Sequence, residues 1–107
     1  MSDAEERPSY SAVYAKSFND ALLALPDNAY ARIEHIVDLL ENFPYLGRPY
    51  NPTYDAALPP IECMQMLVSK TRYALYYMID EKAKEIIFFY LGDTRQDPLT
   101  MFSDVEA

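Results

Sequence analysis

Five of the seventeen residues from Pro44 to Pro60 are proline. Each lacks an amide hydrogen and holds φ at about −65°, so this stretch excludes a helix and any interior strand. It divides the chain into two parts with different hydrophobic periods. A loop longer than about 12–15 residues is uncommon in a small domain and often functional. Here it is read either as a stiff connector whose tyrosines cover the core edge or as a binding loop.

Before the proline-rich stretch the period is helical. Phe18, Ala21, Leu22 and Leu25 fall at i, i+3, i+4 and i+7, one face of a helix. Ser17 with Asp20 three residues later reads as a capping box, and Pro26 ends the helix. Asp27 is then the expected cap of a second helix, with its stripe at Tyr30, Ile33, Ile36, Val37 and Leu40, ending near Phe43-Pro44. The two make a helical hairpin. Tyr10 to Tyr14 alternate and read as a short first strand.

After the stretch the period becomes that of strands. Ile61 to Val68, Tyr73 to Ile79 and Glu85 to Leu91 are rich in β-branched, aromatic and Met residues. Their connectors have hairpin lengths, which predicts an antiparallel meander. The expected fold is α+β in the order β-α-α-β-β-β, with the helical hairpin on one face of a small, mainly antiparallel four-stranded sheet. Residues 1–8 and the acidic residues 103–107 read as tails around one domain over 9–102, with a last turn at Leu99 to Phe102.

Charge narrows the function. Nine basic against seventeen acidic residues give −8, which disfavours a broad phosphate-binding face. Sequence-specific DNA binding by this chain alone is not expected. One cysteine and one histidine leave no thiolate or multi-histidine metal site, so neither metal nor other cofactor is expected. Cys63 reads as a small buried side chain and His35 as a solvated helix residue. No apolar run is long enough for a membrane span, and the lone cysteine fits a reducing, cytoplasmic setting.

Hairpin pairing sets neighbours for the scarce cations. With Ile79 opposite Glu85, Arg72 falls opposite Gly92, Arg95 follows just past the strand, and Lys70 sits in the adjoining turn. These three should converge at one end of the sheet, where Gly92 permits close approach. Two guanidinium forks suit a phosphate or carboxylate. The plainer reading is surface pairing, Arg95 with Asp93 or Asp97 and Arg72 with Glu62, worth about 0–1 kcal/mol each.

The segments Lys70-Thr71-Arg72-Tyr73-Ala74-Leu75-Tyr76-Tyr77-Met78-Ile79-Asp80 and Phe89-Tyr90-Leu91-Gly92-Asp93-Thr94-Arg95 resemble the RelE/ParE superfamily, toxins of bacterial type II toxin–antitoxin modules. The opening Tyr10 to Phe18, the helical hairpin and Gly47-Arg48-Pro49 match its layout, so the resemblance spans about residues 10–98. It implies growth inhibition, a plasmid-stabilisation type of role, and neutralisation by a cognate antitoxin.

For the RelE-like branch it implies ribosome-dependent mRNA cleavage by 2′-hydroxyl attack on the adjacent phosphate, with Arg72 and Arg95 (or Thr94, on an alignment shifted by one) in the catalytic positions. Where those nucleases carry second-strand lysines, this chain has Met64 and Met66, and no tyrosine follows Tyr90. For the ParE-like branch, the resemblance implies a gyrase-directed binding poison with Arg72 and Arg95 as contact or structural residues. That branch agrees better with the acidity and is the favoured reading; RNA cleavage and a non-toxic interaction module are the alternatives. The expected partner or anion contacts are Arg48, Lys70, Arg72, Tyr73, Tyr77, Tyr90 and Arg95.

Overall fold

The structure, a computed structural model, describes residues 9–50, 62–96, 99 and 102. The expected tails and most of the proline-rich loop lie outside the described residues. The elements run β1 (Ser11–Tyr14), α1 (Lys16–Leu23), α2 (Asp27–Asn42), a 3-10 turn (Pro44–Leu46), β2 (Arg48–Pro49), β3 (Met64–Leu67), β4 (Tyr73–Asp80) and β5 (Glu85–Asp93).

The strands form one sheet in the order β1-β5-β4-β3-β2. β1 pairs parallel to β5, and the other neighbours are antiparallel. The sheet therefore has five strands rather than the expected four. The extra strand lies inside the stretch whose prolines argued against regular structure. It survives because it is two residues long and because of pairing parity: Tyr50 N–H donates to the Cys63 carbonyl at 2.9 Å. Pro49, opposite Met64, then falls at the alternate position, where no amide hydrogen is needed.

Both helices arise from their apolar stripes. α1 buries Phe18 and Leu22, and α2 buries Ala29, Ile33, Val37 and Leu40, while Tyr30 and Ile36 sit at the edge of the stripe. Against them the sheet presents Leu75, Tyr77, Ile86 and Phe88, all fully buried. The expected caps are corrected. α1 starts after Ala15 with no side-chain cap; Ser17 lies inside it and donates instead to the Phe89 carbonyl at 3.3 Å. Pro26, not Asp27, precedes α2, and Asp27 sits in the first turn, where a negative charge suits the helix dipole.

The other sheet face has its own core. A bulge in β5 breaks the register: Tyr77 pairs with Phe88, whereas Tyr76 pairs with Tyr90. Phe89 is the extra residue, so Phe89 and Tyr90 both point away from the helices. They join Cys63, Ala74 and Tyr76 in a second buried cluster that Phe102 closes. Phe102 adopts a left-handed φ of 67°, unfavourable for a bulky residue, while its ring packs 4.7 Å from Tyr90 and 5.1 Å from Tyr76. Burial among these rings holds the backbone there.

Candidate functional site

The described cations gather only in part. In the observed register Asp80 faces Glu85, and past the bulge Ala74 faces Gly92. Arg72 therefore lies beside Thr94, whose N–H donates to the Arg72 carbonyl at 2.6 Å. The expected pairing of Arg72 with Gly92 is displaced by two residues, one from a tighter turn and one from the bulge. A shift of two preserves which face each residue occupies.

Asp93 organises this rim. One of its oxygens lies 2.9 Å from Arg72 Nε, and the other accepts the Arg95 N–H at 2.9 Å. Arg72 and Arg95 thus share one carboxylate at the end of β4 and β5, though only Arg72 offers it a guanidinium. The Arg72 guanidinium also sits 5.5 Å from the centre of the Tyr73 ring, a cation–π contact. Lys70 is in the adjoining turn with φ 63° and is exposed.

Arg48 stands apart from that rim. It pairs with Gln65, and both its Nε and Nη2 lie 3.4 Å from Gln65 Oε1. Gln65 in turn donates to the Tyr76 hydroxyl at 2.9 Å, so Arg48 belongs to the second sheet face, a full four residues along β4 from Arg72.

Two tyrosines expected at a contact surface are interior. Tyr77 is fully buried, and its hydroxyl donates to the Pro44 carbonyl at 3.0 Å. Burial pushes its pKa up to about 12, while the Gly47 amide beside it acts weakly in the other direction. It anchors the 3-10 turn to the sheet and is unavailable to a partner. Tyr90 is buried beneath Phe102 and donates to Gln96 Oε1 at 2.9 Å. Sequence spacing placed both on strands; the helix-side core buries Tyr77, and the second core, which has no periodic signature, buries Tyr90.

Gly92 does not open a ligand approach. A Cβ there would lie 2.9 Å from the Tyr76 ring and 3.3 Å from the Tyr90 ring, so the missing side chain makes room for those two tyrosines. Met64 and Met66 face the helices and pack on the main core. Cys63 is buried, and loss of solvation pushes its thiol up to about 11.

A separate polar cluster, which sequence reasoning missed, lies at the opposite end of the β4–β5 hairpin. Tyr10 donates to one oxygen of Glu81 at 2.5 Å, and Tyr45 donates to the other. Lys84 Nζ lies 3.4 Å from Glu81 and 5.0 Å from the Tyr10 ring centre. The two phenol donors hold the Glu81 carboxyl below its ordinary range. These residues come from three separate segments, which is why no local motif marked them. They clamp the hairpin turn to the first strand and the 3-10 turn.

Among the described residues no three His, Cys, Asp or Glu side chains are placed to hold a metal ion, and no helix is long and apolar enough to cross a membrane.

No family model matches the sequence, and no curated protein sequence matches it. Solved structures do match. A chain of the archaeal RelE–RelB complex from Pyrococcus horikoshii OT3 superposes with a TM-score of 0.65 at 21% identity, covering 83% of this chain and 99% of that one. The isolated E. coli RelE toxin superposes with a TM-score of 0.64 at 10% identity, covering 82% and 87%. The chain has the RelE fold, an α+β sheet with a helical hairpin on one face. The β2 pairing adds one short strand to the expected four-stranded layout.

Proposed function

We propose that this chain is the toxin of a toxin–antitoxin pair, cytoplasmic and neutralised by a cognate antitoxin, and that it inhibits growth by binding a protein target. DNA gyrase is the target favoured by the acidic charge and by the methionines at the second-strand positions. The observation that carries this reading is the composition of the sheet face opposite the helices. It is filled by Tyr76, Phe89, Tyr90 and Phe102. The Tyr76 hydroxyl accepts from Gln65, the Tyr90 hydroxyl donates to Gln96, and the Arg72 guanidinium lies against Asp93. These rings are already buried within the chain and their polar groups are engaged there, so among the described residues this face aims no acid and base at a reacting phosphate, which RNA cleavage needs.

An antitoxin partner is supported by the neighbour solved as a RelE–RelB complex. In this reading an antitoxin segment, helical once bound, brings carboxylates to Arg72 and Arg95. Incubating the purified chain with gyrase, supercoiled DNA and ATP should trap cleaved DNA; gyrase that turns over unaffected removes the gyrase assignment.

A second reading, ribosome-dependent mRNA cleavage, is favoured by the RelE toxin likeness and by Arg72 and Arg95 at one rim. It requires Arg72 to leave Asp93 and meet the phosphate. It predicts message cleavage in a translation extract, lost on Arg72→Ala.

A further inference from the structure

On the helix side of the molecule, an open cleft of about 270 Å³ lies between α2 and Val68-Ser69, at the start of the turn that leads to Lys70 and Arg72. Ala31, Ile36 and Val68 supply its apolar surface, and Arg32, His35 and Ser69 supply its polar groups. Val68 is 3% exposed and belongs to the main core, so the apolar side of the cleft is anchored in rigid packing. Arg32 and His35 are three residues apart on one helix and so stand one turn from each other. Ser69 faces them from the other wall.

The electrostatics of the cleft are unusual for this chain. The net charge is −8, yet among the described residues no acidic side chain lines this cleft. The ion pairs formed among the described residues are Lys16–Asp20, Arg72–Asp93 and Lys84–Glu81, and Arg32 takes part in none of them. A guanidinium with no ion pair among the described residues, an imidazole and a hydroxyl around an apolar wall match an anion attached to a hydrocarbon group. The planar Arg32 fork suits a carboxylate, which it can hold with two parallel hydrogen bonds. Size sets the scale of the ligand: pockets for drug-sized molecules run from about 300 to 1,000 Å³, so this one takes something smaller.

We propose that this cleft binds a small carboxylate bearing a branched aliphatic group, its carboxylate on Arg32 with His35 and Ser69 beside it, and its hydrocarbon against Val68, Ile36 and Ala31. Two sources present that chemistry: a free branched-chain acid, or the leucine-like end of another polypeptide. The proposal does not rest on the toxin reading: Ser69 shares a turn with Lys70 and Arg72, but none of the lining residues is in the Arg72–Asp93 ion pair or the second aromatic core.

The test is a titration of the full chain, carbon-13 labelled at Ile and Val methyls, followed by NMR. Isovalerate represents the free acid, N-acetyl-leucine the polypeptide end, and isoamyl alcohol the uncharged control. Saturable shifts of the Ile36 and Val68 methyls are expected with an acid and not with the alcohol. The tighter of the two acids then assigns the source. Arg32→Gln, an exposed substitution, should weaken binding by about tenfold or more, as expected for losing a charge-assisted hydrogen bond. Lys16→Gln, on α1, should leave it unchanged. Failure of both acids to give saturable shifts in the millimolar range overturns the proposal. So does equal response to the alcohol, or undiminished affinity in Arg32→Gln.

Discussion

Arg72 and Asp93 close the end of the β4–β5 hairpin, with Arg72 Nε 2.9 Å from one carboxylate oxygen while the other oxygen accepts the Arg95 N–H. The two side chains are 46% and 33% exposed, so the ion pair by itself contributes only about 0–1 kcal/mol. Its consequence is positional: it orients the Arg72 guanidinium and fixes the chain as it leaves β5.

Replacing the two partners should therefore have unequal effects. Arg72→Ala removes the half-exposed ion pair and the guanidinium's contact with the Tyr73 ring, and should change unfolding free energy by about 1 kcal/mol. Asp93→Ala also strips the acceptor from the Arg95 amide and should cost about 1 kcal/mol more. Urea denaturation of both variants measures this, and equal costs would mean that the Asp93–Arg95 bond contributes nothing.

Phe102→Ala should destabilise by about 2–4 kcal/mol, near the range for truncating a buried aromatic. Alanine inherits the left-handed φ and recovers none of the ring packing on Tyr76, Tyr90 and Tyr50. Near-ultraviolet circular dichroism should weaken as those tyrosines lose a rigid neighbour. An unchanged signal and midpoint would show that the second core holds without Phe102.

Gly47 and Tyr77 should couple. Gly47 has φ −72°, which any residue adopts, so glycine is required there by space: a Cβ would lie 2.7 Å from the Gln65 carbonyl and crowd the Tyr77 hydroxyl. Gly47→Ala should cost about 1–3 kcal/mol through overpacking, and Tyr77→Phe about 1–2 kcal/mol by leaving the Pro44 carbonyl unpaired. The double variant should cost less than their sum, because the hydroxyl that crowds the new methyl is gone. Strict additivity in a denaturation cycle would contradict this contact.

Much of this architecture is written in local pattern, and its limits are physical. The stripes of Ile33, Val37 and Leu40 and of Phe18 and Leu22 mark the helices because burial on one face demands the 3.6-residue period. Strand positions from Tyr73 to Asp80 follow from composition and hairpin length. The bulge at Phe89 escapes such reading, since an extra residue in an aromatic run leaves the composition unchanged. With it go the depth of Tyr90 and the exact partner of Arg72. Likewise, Tyr10 and Tyr45 meet the Glu81–Lys84 turn only through tertiary structure.

Alkaline pH should unfold the protein progressively. Burial raises Tyr77 and Tyr14 to about 12, with the carboxylates of Glu34, Glu41 and Asp38 adding to the rise at Tyr14, and burial raises Cys63 to about 11. Each folded-state value lies above that of the unfolded chain, so the folded state retains protons that the unfolded one releases. Stability is then fully present below the unfolded values and is lost as pH climbs through about 9 to 12. The slope should reach roughly 1.4 kcal/mol per pH unit for each group ionised only when unfolded. Thermal midpoints across that interval measure it, and Tyr77→Phe should flatten the upper part. A midpoint independent of pH from 9 to 12, values that bracket these groups, would contradict the burial of these phenols.

The integrity of a defined message in a translating extract supplied with the purified chain tests the central claim most directly. A toxin that works through protein binding leaves the message full length, and Arg72→Ala behaves like the wild type. Discrete cleavage on ribosomes that disappears with Arg72→Ala would contradict the account and make the Arg72–Asp93 rim part of a nuclease.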